Sequence, residues 1–273
     1  MPSLPPIRPE DVAVAEKTRP HGAFDPPSDA HDPVRAGYLM RLGDDALILG
    51  QRLSEWCGHA PSVEVDLSLA NVALDLIGQA TLLLNEAGDA DTLAFKRDVL
   101  DFRNCWLVEQ PNGDFARTMV RQLLFSTWQH MLYQRLTASR DEALAGIAAK
   151  AVKEVAYHRE LAAEWVIRLG DGTEESTKRT LDGLAWCWRF VPELFEVDAE
   201  VEAAVSAGIA VDPRDFEAEY RAEITRALGE AGLPVPDDQR PILGGRRGHH
   251  SEHLGHLLAI MQYLPRTYPD AKW

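Results

Sequence analysis

The chain has 273 residues, 45% of them hydrophobic, and a formal net charge of -15 from 43 acidic against 28 basic residues. That size suits one large domain or two fused ones with a substantial core. So acidic a surface repels nucleic acid and anionic lipid, and leaves room for a local basic patch or a more basic protein partner. The first thirty residues hold no apolar run of signal-peptide length, and nowhere do about 18 consecutive apolar residues occur. Cys57, Cys105 and Cys187 are odd in number and far apart, which points to a reducing, cytoplasmic setting without a disulfide framework.

Eight of the 17 prolines fall in residues 1–33, so residues 1–32 read as an extended or disordered lead. The helical domain, residues 33–273, follows. Leu39, Leu42, Ala46, Leu49, Leu53 and Trp56 recur at three and four residues, which predicts a helix from Pro33 to Cys57. Gly58 and Pro61 end it. A second helix, Val65 to Ala87, is apolar nearly all round and is expected in the middle of a bundle. A third is predicted over Asp91 to Val108. A fourth runs from Asp114, a cap residue, to Ala138, and a fifth, Ala-rich, from Asp141 to Leu169. No proline lies between Pro111 and Pro192, the pattern of antiparallel neighbours joined by tight loops. A sixth helix spans Glu174 to Val191, with short pieces around Asp198–Ser206. Another helix starts at Asp212 with Pro213 in its first position and reaches Leu228. Residues 229–249 form a Gly-, Pro- and Arg-rich loop, and a last helix covers Ser251 to Leu264. The expectation is an all-α bundle.

The anomaly is polar. Asn71, Asp75 and Gln79 lie four apart on one face of the second helix, amid Leu and Ala. A carboxylate there needs a partner, a hydrogen bond or a metal. One reading has this stripe meeting the charged face of another helix. Asp44, Asp45, Gln51 and Glu55 on the first helix, or Glu154 and His158 on the fifth, supply such faces; His158 on an apolar stripe reads first as a core histidine. The other reading is a di-iron centre, which takes one Glu from each of two helices and a Glu-x-x-His from each of two more. No intact Glu-x-x-His exists in the chain. The nearest segments are Asp75–Gly78 and Glu154–Tyr157, with both histidine positions lost.

His249, His250, Glu252, His253 and His256 follow Gly244, Gly245, Arg246, Arg247 and Gly248. The histidines have the chemistry of a metal site. Arg246, Arg247, His249, His250 and His253 equally suit an anionic ligand or a partner's carboxylates, and structural packing remains a third reading. Phosphate-binding lysine loops, dinucleotide fingerprints, serine-nucleophile elbows and Cys-x-x-Cys pairs do not occur.

Several long runs carry a family resemblance: Leu42 to His59, Asp66 to Gln79, Val108 to Phe115, Lys153 to His158, Ser251 to Gly255 and Met261 to Leu264. Over about residues 34 to 273 the chain resembles the C-subunit family of bacterial phenylacetyl-CoA 1,2-epoxidases. The resemblance implies a ferritin-like helical bundle with additional C-terminal helices. It also implies a non-catalytic subunit that pairs with a catalytic A subunit. The latter holds the di-iron centre and epoxidises phenylacetyl-CoA with dioxygen. A B subunit and a reductase using NADPH, flavin and an iron–sulfur cluster complete the assembly, with no cofactor in this chain. Carried over residue by residue, Asp44 or Asp45, Asp75, Glu154, Tyr157 and His158 are expected around a vestigial metal site. Gly78 stands where a histidine would be, and Phe125 near the fourth-helix carboxylate position. A divergent metal-dependent oxygenase active by itself and a free-standing ligand-binding helical protein are the alternatives.

Overall fold

The computed structural model describes residues 32–237, 239–269 and 271; the proline-rich lead expected over residues 1–32 lies, but for Asp32, outside them. Among the described residues there are helices and no strands. The long ones are α1 (Pro33–Ser54), α2 (Val63–Ala87), α5 (Phe115–Leu136), α6 (Glu142–Gly170) and α7 (Glu174–Trp188). Shorter are α3 (Ala90–Phe95), α4 (Trp106–Glu109), α8 (Ala199–Ser206), α9 (Glu217–Glu230), α10 (Glu252–Met261) and α11 (Tyr263–Thr267).

The helix starts follow from their caps. Side chains of Asp32, Ser62, Asp114, Asp141 and Thr173 accept from backbone N–H groups that the first turn leaves without partners. Asp212 caps a 3-10 turn, Pro213–Phe216, that leads into α9, so the helix expected from Asp212 begins with a tighter turn.

α1 pairs with α2 and α5 with α6, and the two antiparallel pairs meet where α2 packs on α6. Glycine permits the first pairing: a Cβ on Gly43 would lie 2.8 Å from the Leu84 side chain. α7 and α9 lean on α5 and α6, and α8 on α1.

Two expectations are corrected. The helices buried all round are α1, from Ala36 to Gly50, and α5, from Thr118 to Tyr133; α2 is buried on one side and shows Val63, Leu67, Leu74 and Leu82 to solvent. Overall apolarity misplaced the centre because α1 buries Arg41, Asp44 and Asp45 as paired charges and Arg52 on backbone carbonyls. By length and composition alone α2 could cross a membrane, yet 44% of its most apolar window is buried against the rest of the chain.

The helix expected over Asp91–Val108 is broken. α3 is followed by a 3-10 turn, Val99–Asp101, then by non-helical backbone and the single turn of α4. Here backbone N–H groups find side-chain acceptors in place of helical carbonyls. Arg103 donates to Asp44 at 2.8 Å, Cys105 to Asp45 at 2.8 Å and Trp106 to Glu193 at 2.6 Å.

Candidate functional site

The seam between α2 and α6 is where the remnant of a metal site was expected. Asp75 bonds His158 Nε2 at 3.0 Å. One turn away, Gln79 Nε2 donates to Glu154 at 2.9 Å, and Gln129 of α5 donates to Gln79 Oε1 at 3.2 Å and to the Tyr133 hydroxyl at 3.3 Å. The stripe on α2 thus runs from solvent to core: Asn71 is exposed, the Asp75 side chain is 36% exposed and Gln79 is buried.

The inward register differs by one residue from the expected one. Gly78 faces solvent, and among the described residues a Cβ placed there would meet no atom of another element within 4 Å. Tyr157 is exposed as well. The positions three apart that do point into the core are Leu76 and Gln79 on α2, and Val155 and His158 on α6. Phe125 is buried and packs on Trp128, as an ordinary core aromatic.

Asp44 and Asp45 stand apart from that seam, each bound to arginine. Both oxygens of Asp44 accept from the Arg97 guanidinium. Asp45 pairs with Arg246 at 2.7 Å, and Arg246 also reaches the carbonyls of Arg103 and Arg41 and lies 5.9 Å above the Trp128 ring. Glu193 accepts from the backbone of Gly244 at 2.8 Å and Gly245 at 2.7 Å, besides Trp106. Glu109 accepts from Asn104, from His250 Nδ1 at 2.7 Å and from Ser251 N at 2.7 Å. Four buried carboxylates therefore clamp two irregular segments, 96–110 and 240–251: Asp44 and Asp45 hold them to α1, Glu193 holds both to the 3-10 turn Val191–Phe195, and Glu109 holds them to each other.

Burial raises the Asp45 carboxyl above its ordinary value, and the charge of Arg246 offsets that only in part. Burial also opposes the charge on Arg246, but Asp45, Cys105 and Glu193 outweigh it and hold the guanidinium above its ordinary value. Arginine does not lose its proton in proteins, so Arg246 meets Asp45 as a cation. Burial likewise raises Glu193, against the pull of its backbone donors and Arg246. It lifts the Cys105 thiol well above the usual range and the Cys187 thiol up to about 12, which leaves neither as a nucleophile at neutral pH.

The C-terminal basic cluster, read as a metal site, as a contact for an anion or partner, or as structural packing, is mostly spent inside the chain. Arg246 is buried on Asp45, and Arg247 pairs with Glu196. The His250 side chain is buried, with one ring nitrogen facing Glu109 and the other the Phe102 carbonyl at 3.0 Å. His249 is exposed, and its carbonyl accepts from Trp106 Nε1. His253, half-buried, gives its carbonyl to Arg52. The glycines serve close approach: a Cβ on Gly245 would lie 2.4 Å from the Asn104 carbonyl oxygen, and one on Gly248 the same distance from that of Leu100.

Among the described residues no three His, Cys, Asp or Glu side chains converge as a metal site requires. A di-iron centre needs inward carboxylates and histidines from four helices. At the inward positions of α2 and α6 the chain offers Leu76, Gln79, Val155 and His158, and its buried carboxylates on α1 are taken by guanidinium and N–H groups. These residues do not fit the group. The arrangement binds backbone and fixes shape. Sequence reasoning missed Arg97, Glu109 and Glu193; an acidic residue among large apolar ones, as in Leu107-Val108-Glu109 or Val191–Phe195, was the available signal.

Comparison with known proteins gives a consistent picture. The family model described as phenylacetic acid catabolic protein matches residues 23–273. The chain is 50% identical over 243 residues, 86% of its length and 98% of the other's, to the C subunit of the 1,2-phenylacetyl-CoA epoxidase of Escherichia coli (strain K12).

Proposed function

The chain belongs to the phenylacetic acid catabolic protein family, an all-α ferritin-like fold, and we propose that it is the non-catalytic structural subunit of a multicomponent phenylacetyl-CoA epoxidase. In this reading it is a cytoplasmic protein of aerobic phenylacetate breakdown. It pairs with a di-iron catalytic subunit and supports that subunit's shape. A further bridging subunit and a reductase with flavin, an iron–sulfur cluster and NADPH complete the assembly, so every redox group lies on another chain. The name of the relative from Escherichia coli supports the substrate and the existence of partner subunits.

The observation that carries the non-catalytic role is the fate of the buried carboxylates. Asp44, Asp45, Glu109 and Glu193 are each spent on arginine, histidine or backbone N–H groups. A carboxylate already neutralised by a guanidinium is a poor metal ligand, because the metal would have to displace an equally charged partner and leave it buried.

The test reconstitutes epoxidation of phenylacetyl-CoA from the catalytic subunit and reductase, with and without this chain, and measures iron in each protein purified aerobically without chelators. The expected outcome is a complex between the two subunits, epoxidation that depends on this chain, and iron on the catalytic subunit alone. Full activity without the chain would remove the supporting role. Two tightly held equivalents of iron in the chain itself would favour an oxygenase in its own right.

A further inference from the structure

A groove of about 620 Å³ runs between α3 on one side and α10 with α11 on the other, a volume in the range of sites that hold drug-sized ligands. Its walls are fixed to each other. Gln262 donates to the carbonyls of Ala94 and Arg97, both at 3.0 Å, and Arg266 to those of Phe95, Lys96 and Arg97. Ile260, Leu264 and Tyr268 follow at intervals of four along one wall and are 82%, 47% and 57% exposed, with Phe95 opposite. Single exposed apolar side chains are ordinary, but a row of them in a groove marks a contact surface. The charged residues that line it are Asp89, Asp91 and Lys96. Asp89 caps α3 through Thr92 N, and Asp98, beyond the groove, is paired with Arg266. The middle is therefore apolar, the lining carries one net negative charge, and both carboxylates sit at the end next to α2.

That end is where the N-terminal segment joins the fold. Asp32 is three residues before Arg35, whose guanidinium bonds the Glu86 carbonyl at 2.8 Å and the Glu86 carboxylate at 2.7 Å. Asp89 is three residues past Glu86. The family match begins at residue 23, so what the family shares does not account for residues 1–22. Charge in the segment is unevenly spread. Residues 10–31 hold Glu10, Asp11, Glu16, Asp25 and Asp29 against Lys17 and Arg19, while residues 1–9 hold Arg8 and no acid. The stretch 1–9 thus has the sign that suits Asp89 and Asp91. Pro2, Pro5, Pro6 and Pro9 favour an extended left-handed helix of three residues per turn, on which Leu4 and Ile7 share an edge. Segments of that kind dock in grooves with aromatic walls, here Phe95 and Tyr268. The 22 residues from Glu10 to His31 span roughly 25 Å as a flexible tether, enough to reach a groove that opens beside the start of α1. Such a tether also raises the local concentration to roughly the millimolar range, which favours the chain's own segment over a free competitor.

We propose that residues 1–9 of this chain dock in the groove between α3 and α10–α11, with Leu4 and Ile7 on Ile260, Leu264 and Tyr268, and Arg8 toward Asp89 and Asp91. The inference concerns the single chain and goes beyond its role in an enzyme complex.

The experiment traps the contact in the full chain as a disulfide. Cys57→Ser removes the exposed thiol, and Cys105 and Cys187 are buried. Ser3→Cys is combined with Thr92→Cys in the groove or, as control, with Asn85→Cys, also exposed and one residue from Glu86. The control lies at the tether's root, so a faster reaction at Thr92 cannot come from tethering alone. Each substituted position within the described fold is exposed, so urea unfolding should show the reduced variants folded as wild type. Under dilute oxidant the Thr92 pair should close within one chain at least about 10-fold faster than the Asn85 pair. Adding Ile260→Glu should bring it within about 3-fold of the control, because a carboxylate then stands among the apolar walls. Arg8→Glu should slow it at low salt and less so at high salt. Equal rates for the two pairs, or a fast Thr92 pair indifferent to Ile260→Glu, overturn the proposal. Disulfides between two chains in place of one overturn it in favour of a second copy's segment. Equal rates together with binding of the purified di-iron subunit that Ile260→Glu abolishes overturn it in favour of a partner.

Discussion

Replacing Arg246 by methionine isolates the clamp's most informative contact. The side-chain stem keeps most of its volume, while Asp45, itself 1% exposed, retains only the Cys105 N–H. Two unit charges about 4 Å apart at an effective dielectric of about 20 interact by ~4 kcal/mol. Removing one partner of a buried pair costs about 3–5 kcal/mol, because the other charge stays behind in the interior. For a domain of this size that lowers the melting temperature by roughly 6–20 °C. Urea unfolding followed by far-UV circular dichroism reads it directly. Asp45→Asn made together with Arg246→Met should recover part of the loss, with a coupling of about 2–3 kcal/mol. Arg226, which pairs on the surface with Glu223 and Glu230, is the control; its replacement by methionine should cost less than about 1 kcal/mol. If Arg246→Met moves the midpoint no more than Arg226→Met does, Asp45 is hydrated and the clamp is not what holds the irregular segments.

Asp75→Asn keeps a partner for His158 and should change stability by less than about 1 kcal/mol. Asp75→Leu leaves His158 Nε2 buried without its bond and should cost about 1–3 kcal/mol, measured by the same unfolding curves. Equal effects of the two would mean that the Asp75–His158 contact does not form. A thiol reagent at neutral pH should label Cys57, which is exposed, quickly, and Cys105 and Cys187 only after denaturation. Acid should destabilise the fold through Asp141 and Asp198. Burial pushes both up, yet hydrogen bonds from Arg35 and Arg41 and from backbone N–H groups leave them below their ordinary 3.8. A folded-state value below the unfolded one gives stability that is fully present above the unfolded value and lost as pH falls through the folded one. The urea midpoint should therefore begin to fall below about pH 4, and Arg35→Leu should flatten part of that fall.

Helix periodicity made the long helices legible, because α1, α2, α5, α6 and α7 each bury an apolar face and begin at a side-chain cap. The segment after α3 was not legible. Its backbone bonds go to Asp44, Asp45 and Glu193, on elements remote in the chain, and nothing within Asp91–Val108 announces them. The polar seam was found at the right helices but in the wrong register. Spacing in sequence gives the Asp75–Gly78 and Glu154–Tyr157 pairs, whereas only packing tells that Gly78 and Tyr157 look outward. For the arginines and glycines near residue 245 an anion site and structural packing both stay open, because sequence cannot show that the anions they meet are the protein's own.

The clamp also sets a schedule for synthesis. Proteins leave the ribosome N-terminus first. The groups that complete Glu193 and Glu109 follow them by 51 residues at Gly244 and 142 at Ser251, and Arg246 arrives later still relative to Asp45. Until then the emerging chain holds several interior carboxylates with unmet demands, however well its helices have formed. A polypeptide cut short before residue 240 would carry that deficit permanently. The neutrality of the interior thus works as a check on completeness: only a finished chain can close, and an unfinished one stays open to proteases.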